Sequence, residues 1–191
     1  KFLSNKLIFE KKKFLSLKKK LNKRIIITFF STHKNEEIIL IKCFKLLKKK
    51  FQNLLFVIIP RHLKNSDGIR KNLKKNNLYF GTRSFKQDLT KEHKFYIADT
   101  FGELGLFFSL SKISIVGGSF ANKGGHNPIE TSHFKCVVIF GPNMQNFEEI
   151  KEKILQTKSG FKVNNSKHLA ETISILLINN TLFNRTVGNF C

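Results

Sequence analysis

Ile113-Ser114-Ile115-Val116-Gly117-Gly118-Ser119-Phe120-Ala121-Asn122-Lys123-Gly124-Gly125-His126-Asn127-Pro128-Ile129-Glu130 joins an apolar run to two glycine pairs and an Asn-Pro step. The run Ile113–Val116 reads as a buried strand. Pro128 suits the first turn of a helix over 128–134, where its missing N–H leaves no bond unmade. Strand, glycine-bearing loop and helix in this order form the repeating unit of an α/β fold.

The same stretch reads as an anion site. Glycines let the backbone come close to a ligand, and the free amides and dipole at a helix start favour a phosphate or carboxylate. Gly118, Ser119, Gly124, Gly125, His126 and Asn127 are the candidates on this loop, and Glu130 stands in the first turn, placed to accept hydrogen bonds from a diol such as a ribose. A sugar nucleotide is the expected ligand. The plainer reading is that glycine pairs only make tight turns and Asn-Pro only starts a helix.

Working outward, apolar strands alternate with amphipathic helices. Strands are expected at 25–30, 54–59, 78–80, 95–97, 113–116, 137–140 and 160–163. Helices are expected at 36–49, near 68–76, at 102–109, 128–134 and 146–157, with the last at 166–178. Continuous apolar strands imply burial on both faces, hence an α/β, Rossmann-like parallel sheet with helices on both sides. Residues 24–191 make one such domain, and the Lys/Asn-rich stretch at 64–77 reads as a solvated connection inside it. The absence of an initiator Met ahead of Lys1-Phe2 suggests a fragment.

Other candidate residues fall at strand ends. Ser31 and Thr32 follow the first strand and offer hydroxyls to a phosphate, or cap the next helix. After the second strand, Pro60-Arg61-His62 puts an arginine and a histidine at the rim, with a surface ion pair as the plainer role for Arg61. Asp99-Thr100-Phe101-Gly102-Glu103 opens a helix whose backbone suits a base edge, with Glu103 alternatively a first-turn charge. In a doubly wound sheet these ends share one crevice.

The net charge of +22 calls up nucleic acid or an anionic membrane. Nucleic acid is disfavoured, because the positive residues are 30 Lys and only 5 Arg, and Arg is the usual bidentate reader of bases and phosphates. The Lys/Asn/Ile-rich composition is also what A/T-rich codons produce. Residues 1–23 read as a basic lead-in: a solvated helix, or an amphipathic helix lying on an anionic surface. Cys43, Cys136 and Cys191 make no Cys-x-x-Cys pair, and the histidines lack metal-site spacing. No disulfide framework, metal or cofactor is expected.

Ser-Thr-His-x-x-Glu-Glu at 31–37, Pro-Arg-His at 60–62, Asp-Thr-x-Gly-Glu-Leu at 99–104, Val-Gly-Gly-Ser at 116–119, Gly-Gly-His-Asn-Pro-Ile-Glu at 124–130 and Gly-Pro-Asn-x-x-Asn-Phe at 141–147 follow one another in this order. In that series the chain closely resembles the C-terminal half of bacterial Kdo transferases. Two departures stand out: Phe101 where the family usually has Met, and Leu63-Lys64-Asn65 after the histidine. The resemblance implies a GT-B glycosyltransferase with CMP-Kdo as donor and a lipid A precursor as acceptor. It also implies a location at the cytoplasmic face of the inner membrane, peripheral or anchored, and a general base on an N-terminal domain outside this chain, so that no catalytic residue is expected here and the isolated chain is expected to be inactive. The alternatives are another GT-B glycosyltransferase, a UDP-sugar epimerase domain, or a basic non-catalytic module for membrane or RNA.

Overall fold

A computed structural model describes residues 7, 9–21, 23–87 and 89–190. Along the chain run α1 (Lys11–Lys20), β1 (Ile25–Thr32), α2 (Glu37–Leu47), β2 (Leu54–Pro60), α3 (Ser66–Lys75), β3 (Phe80–Thr82), β4 (Phe95–Ile97) and α4 (Leu104–Leu110). Then come β5 (Ile113–Val116), β6 (Val137–Phe140), α5 (Glu148–Gln156), β7 (Gly160–Lys162), α6 (Ser166–Ile178) and α7 (Asn180–Phe190). The seven strands form one sheet in the order β3-β4-β2-β1-β5-β6-β7. Every pairing is parallel. The all-parallel Rossmann-like architecture expected from the alternation is therefore present.

Period-2 alternation divides the strand side chains between two cores. Ile27 and Phe29 of β1 and Leu54, Phe56 and Ile58 of β2 meet Leu40, Phe44 and Leu47 of α2, Ile69 and Leu73 of α3, and Leu169 and Ile173 of α6. The alternate residues Ile26, Phe30, Leu55, Val57 and Ile59 face Leu17 of α1, Leu106 and Phe108 of α4, and Ile154 of α5. A fully buried Phe or Ile side chain contributes about 1.5–3 kcal/mol, and the central strands supply several at 0% exposure. That double-sided burial is why β1 and β2 read as unbroken apolar runs.

Several elements differ from expectation. The helix expected over 128–134 is only a 3-10 turn, Pro128–Thr131. Asn127 caps it through Ile129 N–H at 3.0 Å, but the Thr131 and Ser132 hydroxyls turn back on the Pro128 and Ile129 carbonyls, each at 2.8 Å. The backbone closes i→i+3 bonds here, Ser132 N–H to the Ile129 carbonyl at 2.9 Å and Phe134 N–H to that of Thr131 at 3.0 Å, the tighter pattern that seldom runs beyond a few residues. The helix at 166–178 is followed by α7, which Asn179 caps by accepting from Leu182 N–H at 2.9 Å, and whose Leu182, Phe183 and Val187 pack on the first core. The strand expected at 78–80 sits at Phe80–Thr82. The stretch 64–77 is mostly α3, with Ile69 and Leu73 buried, so it is a packed helix as well as a connection.

The basic lead-in is joined to the domain. Leu17 and Leu21 are buried in the second core while the lysines of α1 point outward. Residues 1–6, 8 and 22 of that lead-in, with Cys191, lie outside the described residues. Among the described residues, no helix is long and apolar enough to cross a membrane.

Candidate functional site

The site begins where β1 and β5 end side by side, at the point where the chain switches from building one half of the sheet to the other. Open α/β sheets hold ligands in the crevice at such a point. The pairing of β1 with β2 slips between Phe30 and Thr32, and the intervening Ser31 takes φ 54, which few non-glycine residues adopt. Gly117 crosses directly over this kink, its N–H donating to the Phe30 carbonyl at 2.8 Å. A Cβ on Gly117 would lie 2.3 Å from the Ser31 carbonyl oxygen, so only glycine fits there.

The loop that follows is folded around a carboxylate. Glu36, just ahead of α2 and 4% exposed, accepts from His33 N–H and Gly118 N–H, each at 2.8 Å, and from Phe120 N–H and Ala121 N–H, each at 3.1 Å. Gly118 N–H is thus already bonded inside the protein. Gly125 N–H donates to the Gly118 carbonyl at 3.2 Å. Ser119 is fully buried, its hydroxyl donating to the Val116 carbonyl at 2.5 Å and accepting from Gly141 N–H at 2.8 Å. Asn143 and Asn146 brace the same loop through the Ala121 and Lys123 carbonyls. Contrary to the sequence expectation, the amides of Gly118 and Gly125 and the hydroxyl of Ser119 organise the loop, and the single 3-10 turn provides no extended helix dipole. Gly124 (φ 74), packed against Asn146, is likewise part of the loop frame.

What the loop presents is a histidine pair. His126 Nε2 and His33 Nε2 are 2.9 Å apart, their rings parallel within 7°, and a Cβ on Gly118 would meet the Cδ2 of both, at 3.3 and 3.4 Å. His62 stands edge-on to His33 with centroids 6.2 Å apart. Burial, and then the charges of His33, Arg61 and His62, push His126 down to about 4. His33 is also lowered, by burial first, although Glu36 works in the opposite direction. Arg61 hangs from β2 by its own N–H, which donates to the Thr32 carbonyl at 2.9 Å, and its guanidinium is exposed.

Glu130 lies within the field of Arg61. Burial raises its carboxyl and Arg61 partly offsets this; no hydrogen bond to its carboxylate is found among the described residues. The buried hydroxyl of Thr32 likewise has no partner among the described residues. One rim therefore carries Arg61, three imidazoles and a half-buried carboxylate free to accept hydrogen bonds. Such a set has the chemistry to pair with a phosphate and to accept from neighbouring hydroxyls.

Gly102 and Glu103 belong to another part of the rim, after β4. Glu103 takes the Arg83 fork at 2.9 and 2.7 Å and also accepts from the Thr100 hydroxyl. Burial alone would raise this carboxyl, but Arg83 and Thr100 hold it below its ordinary value. Beside the pair, Thr100, Phe101 and Tyr96 face Lys13 and Lys20 of α1 across an open cleft of about 440 Å³. Phe101, at 83% exposure, is available to cover a flat ligand. Asp99 is tied to Ser84 N–H and hydroxyl, at 2.9 and 2.8 Å, and fixes this corner.

Glu36, His33, Arg83, Asn143 and Asn146 were not singled out from sequence. His33, Glu36, Asn143 and Asn146 lie inside the quoted motifs, which was the available signal; Arg83 lies in none. Among the described residues, no group of three His, Cys, Asp or Glu side chains is placed to hold a metal ion.

No family model matches the chain. Among curated proteins, it is 36% identical over 183 residues to the 3-deoxy-D-manno-octulosonic acid transferase of Rickettsia typhi, covering 95% of this chain and 39% of that protein. It is 33% identical over 159 residues to the transferase of the same name from Haemophilus influenzae, covering 83% of this chain and 37% of the relative. The chain thus spans about two fifths of the length of these relatives. Among solved structures, the C-terminal CMP-Kdo binding domain of WaaA from Acinetobacter baumannii superposes with a TM-score of 0.88 at 25% identity, over 94% of each chain. The C-terminal domain of a group 1 glycosyl transferase from Francisella tularensis, TM-score 0.65 at 15% identity, covers 97% of this chain and 91% of that one and shares the fold. The chain is a homologue of the 3-deoxy-D-manno-octulosonic acid transferases, with the Rossmann-like fold of a GT-B C-terminal domain.

Proposed function

We propose that this chain is the CMP-Kdo-binding domain of a glycosyltransferase that transfers Kdo to a lipid A precursor. The observation that carries the reading is the likeness, over 94% of both chains, to a domain described as binding CMP-Kdo. The polar side chains at the rim fit it. Arg61, His62 and His126 meet the phosphate, Glu130 accepts from the ribose hydroxyls, and the segment around Gly102 and Phe101 receives the base.

In the whole protein an acceptor hydroxyl attacks the anomeric carbon of Kdo, and the bond from that carbon to the phosphate oxygen breaks with its electron pair going to CMP. The positive rim stabilises the departing anion, and preorganised charge of this kind is commonly a large part of catalysis. Deprotonation of the acceptor falls to a residue outside this chain. The acceptor's anionic lipid surface is met by the lysines of α1, at the cytoplasmic face of the inner membrane.

Calorimetry with CMP, UMP and UDP tests the donor. CMP is expected to bind most tightly, and equal or tighter UDP binding would favour a UDP-sugar enzyme instead. A basic membrane- or RNA-binding module would be favoured by RNA or vesicle binding that survives replacement of His126 and Asn127, combined with no binding of CMP.

A further inference from the structure

His33 and His126 share one hydrogen bond between like atoms, Nε2 to Nε2 at 2.9 Å. That contact needs one nitrogen to donate and the other to accept, so the neutral pair holds a single proton between the rings. A further proton has one good place, the Nδ1 of the donating ring. The result is an imidazolium donating to a neutral imidazole, a charge-assisted bond stronger than the neutral one. A second added proton would put N–H on both facing nitrogens and break the contact. The pair is therefore built to accept one positive charge.

In the free protein its surroundings oppose that charge. The groups facing it are Arg61 and His62 from the end of β2, Lys123 from the glycine loop, and Glu36 ahead of α2. Of these only Glu36 is acidic, and its two oxygens are already engaged by four backbone amides. Glu130 is drawn to Arg61. Three cationic or titratable neighbours thus surround two half-buried imidazoles. An anion bound here would reverse the balance.

We propose that the His33–His126 pair takes up one proton from solvent when the donor's phosphate binds beside Arg61, and then carries part of the charge that meets the departing nucleotide. This rests on the CMP reading above and adds His33 to the ligand-facing residues. No covalent bond to the ligand forms. The proton enters at a ring Nδ1 and returns to solvent when the nucleotide leaves.

The test is calorimetric titration of the 191-residue chain with CMP at about pH 6.5, where an ordinary histidine titrates, in buffers of different ionisation enthalpy. The second ionisation of a phosphate monoester, near pH 6, makes CMP itself release protons on binding as a dianion, and this contribution is common to all variants. The natural chain is expected to take up as much as about one proton per CMP more than His126→Gln or His33→Gln. Its affinity should also fall relative to the variants as pH rises from about 6 to 8. In the natural chain, the ring ¹⁵N shifts of His33 or His126 should move to imidazolium values on adding CMP and stay neutral with cytidine, which lacks the phosphate; this readout does not depend on the variants folding. CMP binding with equal proton counts and unchanged ring shifts would overturn the proposal and leave the donor assignment standing. Failure of the natural chain to bind CMP would overturn both.

Discussion

The carboxylate of Glu36 accepts the N–H of Gly118 at 2.8 Å across 82 residues of sequence, so the loop that closes the end of β5 is shaped by an acid from the loop that closes β1. Glu36→Ala would leave the amides of His33, Gly118, Phe120 and Ala121 without their acceptor in a buried place. Orphaning one buried donor costs about 1–3 kcal/mol, and these four share one site. A loss of about 2–4 kcal/mol in urea unfolding is expected, together with loss of CMP binding. Glu36→Gln, with one acceptor oxygen left, should fall between. A stable Glu36→Ala protein that binds CMP normally would show that the loop holds its shape without this anchor.

Gly117 makes the companion prediction. Its missing Cβ would lie 2.3 Å from the Ser31 carbonyl and 2.4 Å from that of Phe30, and both belong to a central strand that cannot retreat. Gly117→Ala should therefore destabilise the fold by about 3 kcal/mol, at the upper end for overpacking a well-ordered core. Thermal unfolding measures it, and a wild-type midpoint would mean that β1 shifts more easily than its position in the sheet suggests.

How much of this was legible follows from the range of each interaction. The strands and most helices were readable because burial on two faces writes near-continuous apolar runs into the strands, as at Ile25–Phe30, and burial of one side writes a 3.6-residue period into the helices, as at Leu40–Leu47. The rim was readable because parallel topology brings every strand end to the same side. Side-chain use was not. Nothing in Gly-Gly-Ser tells that Gly118 and Ser119 serve Glu36 and Gly141, because those partners arrive from distant segments. The short turn after Asn127 was missed for a different reason: the backbone there closes i→i+3 bonds, Ser132 N–H to the Ile129 carbonyl and Phe134 N–H to that of Thr131, a choice that hydrophobic pattern does not record. Arg83 escaped because a lone arginine in a polar loop becomes notable only once Glu103 is found opposite it.

Glu37 gives a prediction with a sign in pH. Its carboxylate is buried at 1% exposure, accepts from the Asn72 side chain through one oxygen, and has no partner for the other among the described residues. Burial raises its pKa, with the Asn72 bond opposing. A raised folded value means that the fold prefers the protonated acid. That preference stabilises below the unfolded value of about 4.3 and is lost as pH rises through the folded value. Glu37→Gln should therefore be more stable than the natural chain at neutral pH and lose that advantage in acid, as read from urea midpoints between about pH 3 and 7. An advantage that is constant across this range would assign the effect to packing.

Glu130 carries the clearest binding prediction. Its carboxylate is half-buried with no hydrogen-bond donor among the described residues, so Glu130→Ala should leave stability nearly unchanged. If Glu130 holds the ribose, the same change weakens CMP binding by about 1–3 kcal/mol, the cost of leaving the ligand's hydroxyls unpaired. Unchanged CMP affinity in a folded variant would remove Glu130 from the ligand's contacts.

The lysines of α1 test the membrane proposal, and the packing of that helix decides how. Deleting residues 1–23 would also remove Leu17 and Leu21 from the second core, confusing weaker binding with a damaged fold. Replacing the exposed Lys11, Lys12, Lys18 and Lys19 with Gln keeps Leu17 and Leu21 in place and removes charge, together with the contact of Lys18 over the Phe14 ring. Each lysine near an anionic surface contributes roughly 1 kcal/mol, and the attraction fades within a Debye length of about 8 Å at physiological salt. Co-sedimentation with vesicles containing phosphatidylglycerol should be weak, lost at high salt, and clearly reduced in the four-lysine variant. Equal sedimentation of both proteins would assign these lysines to ordinary solvated surface, because a helix that keeps its fold and loses four charges without losing lipid cannot be what holds the domain there.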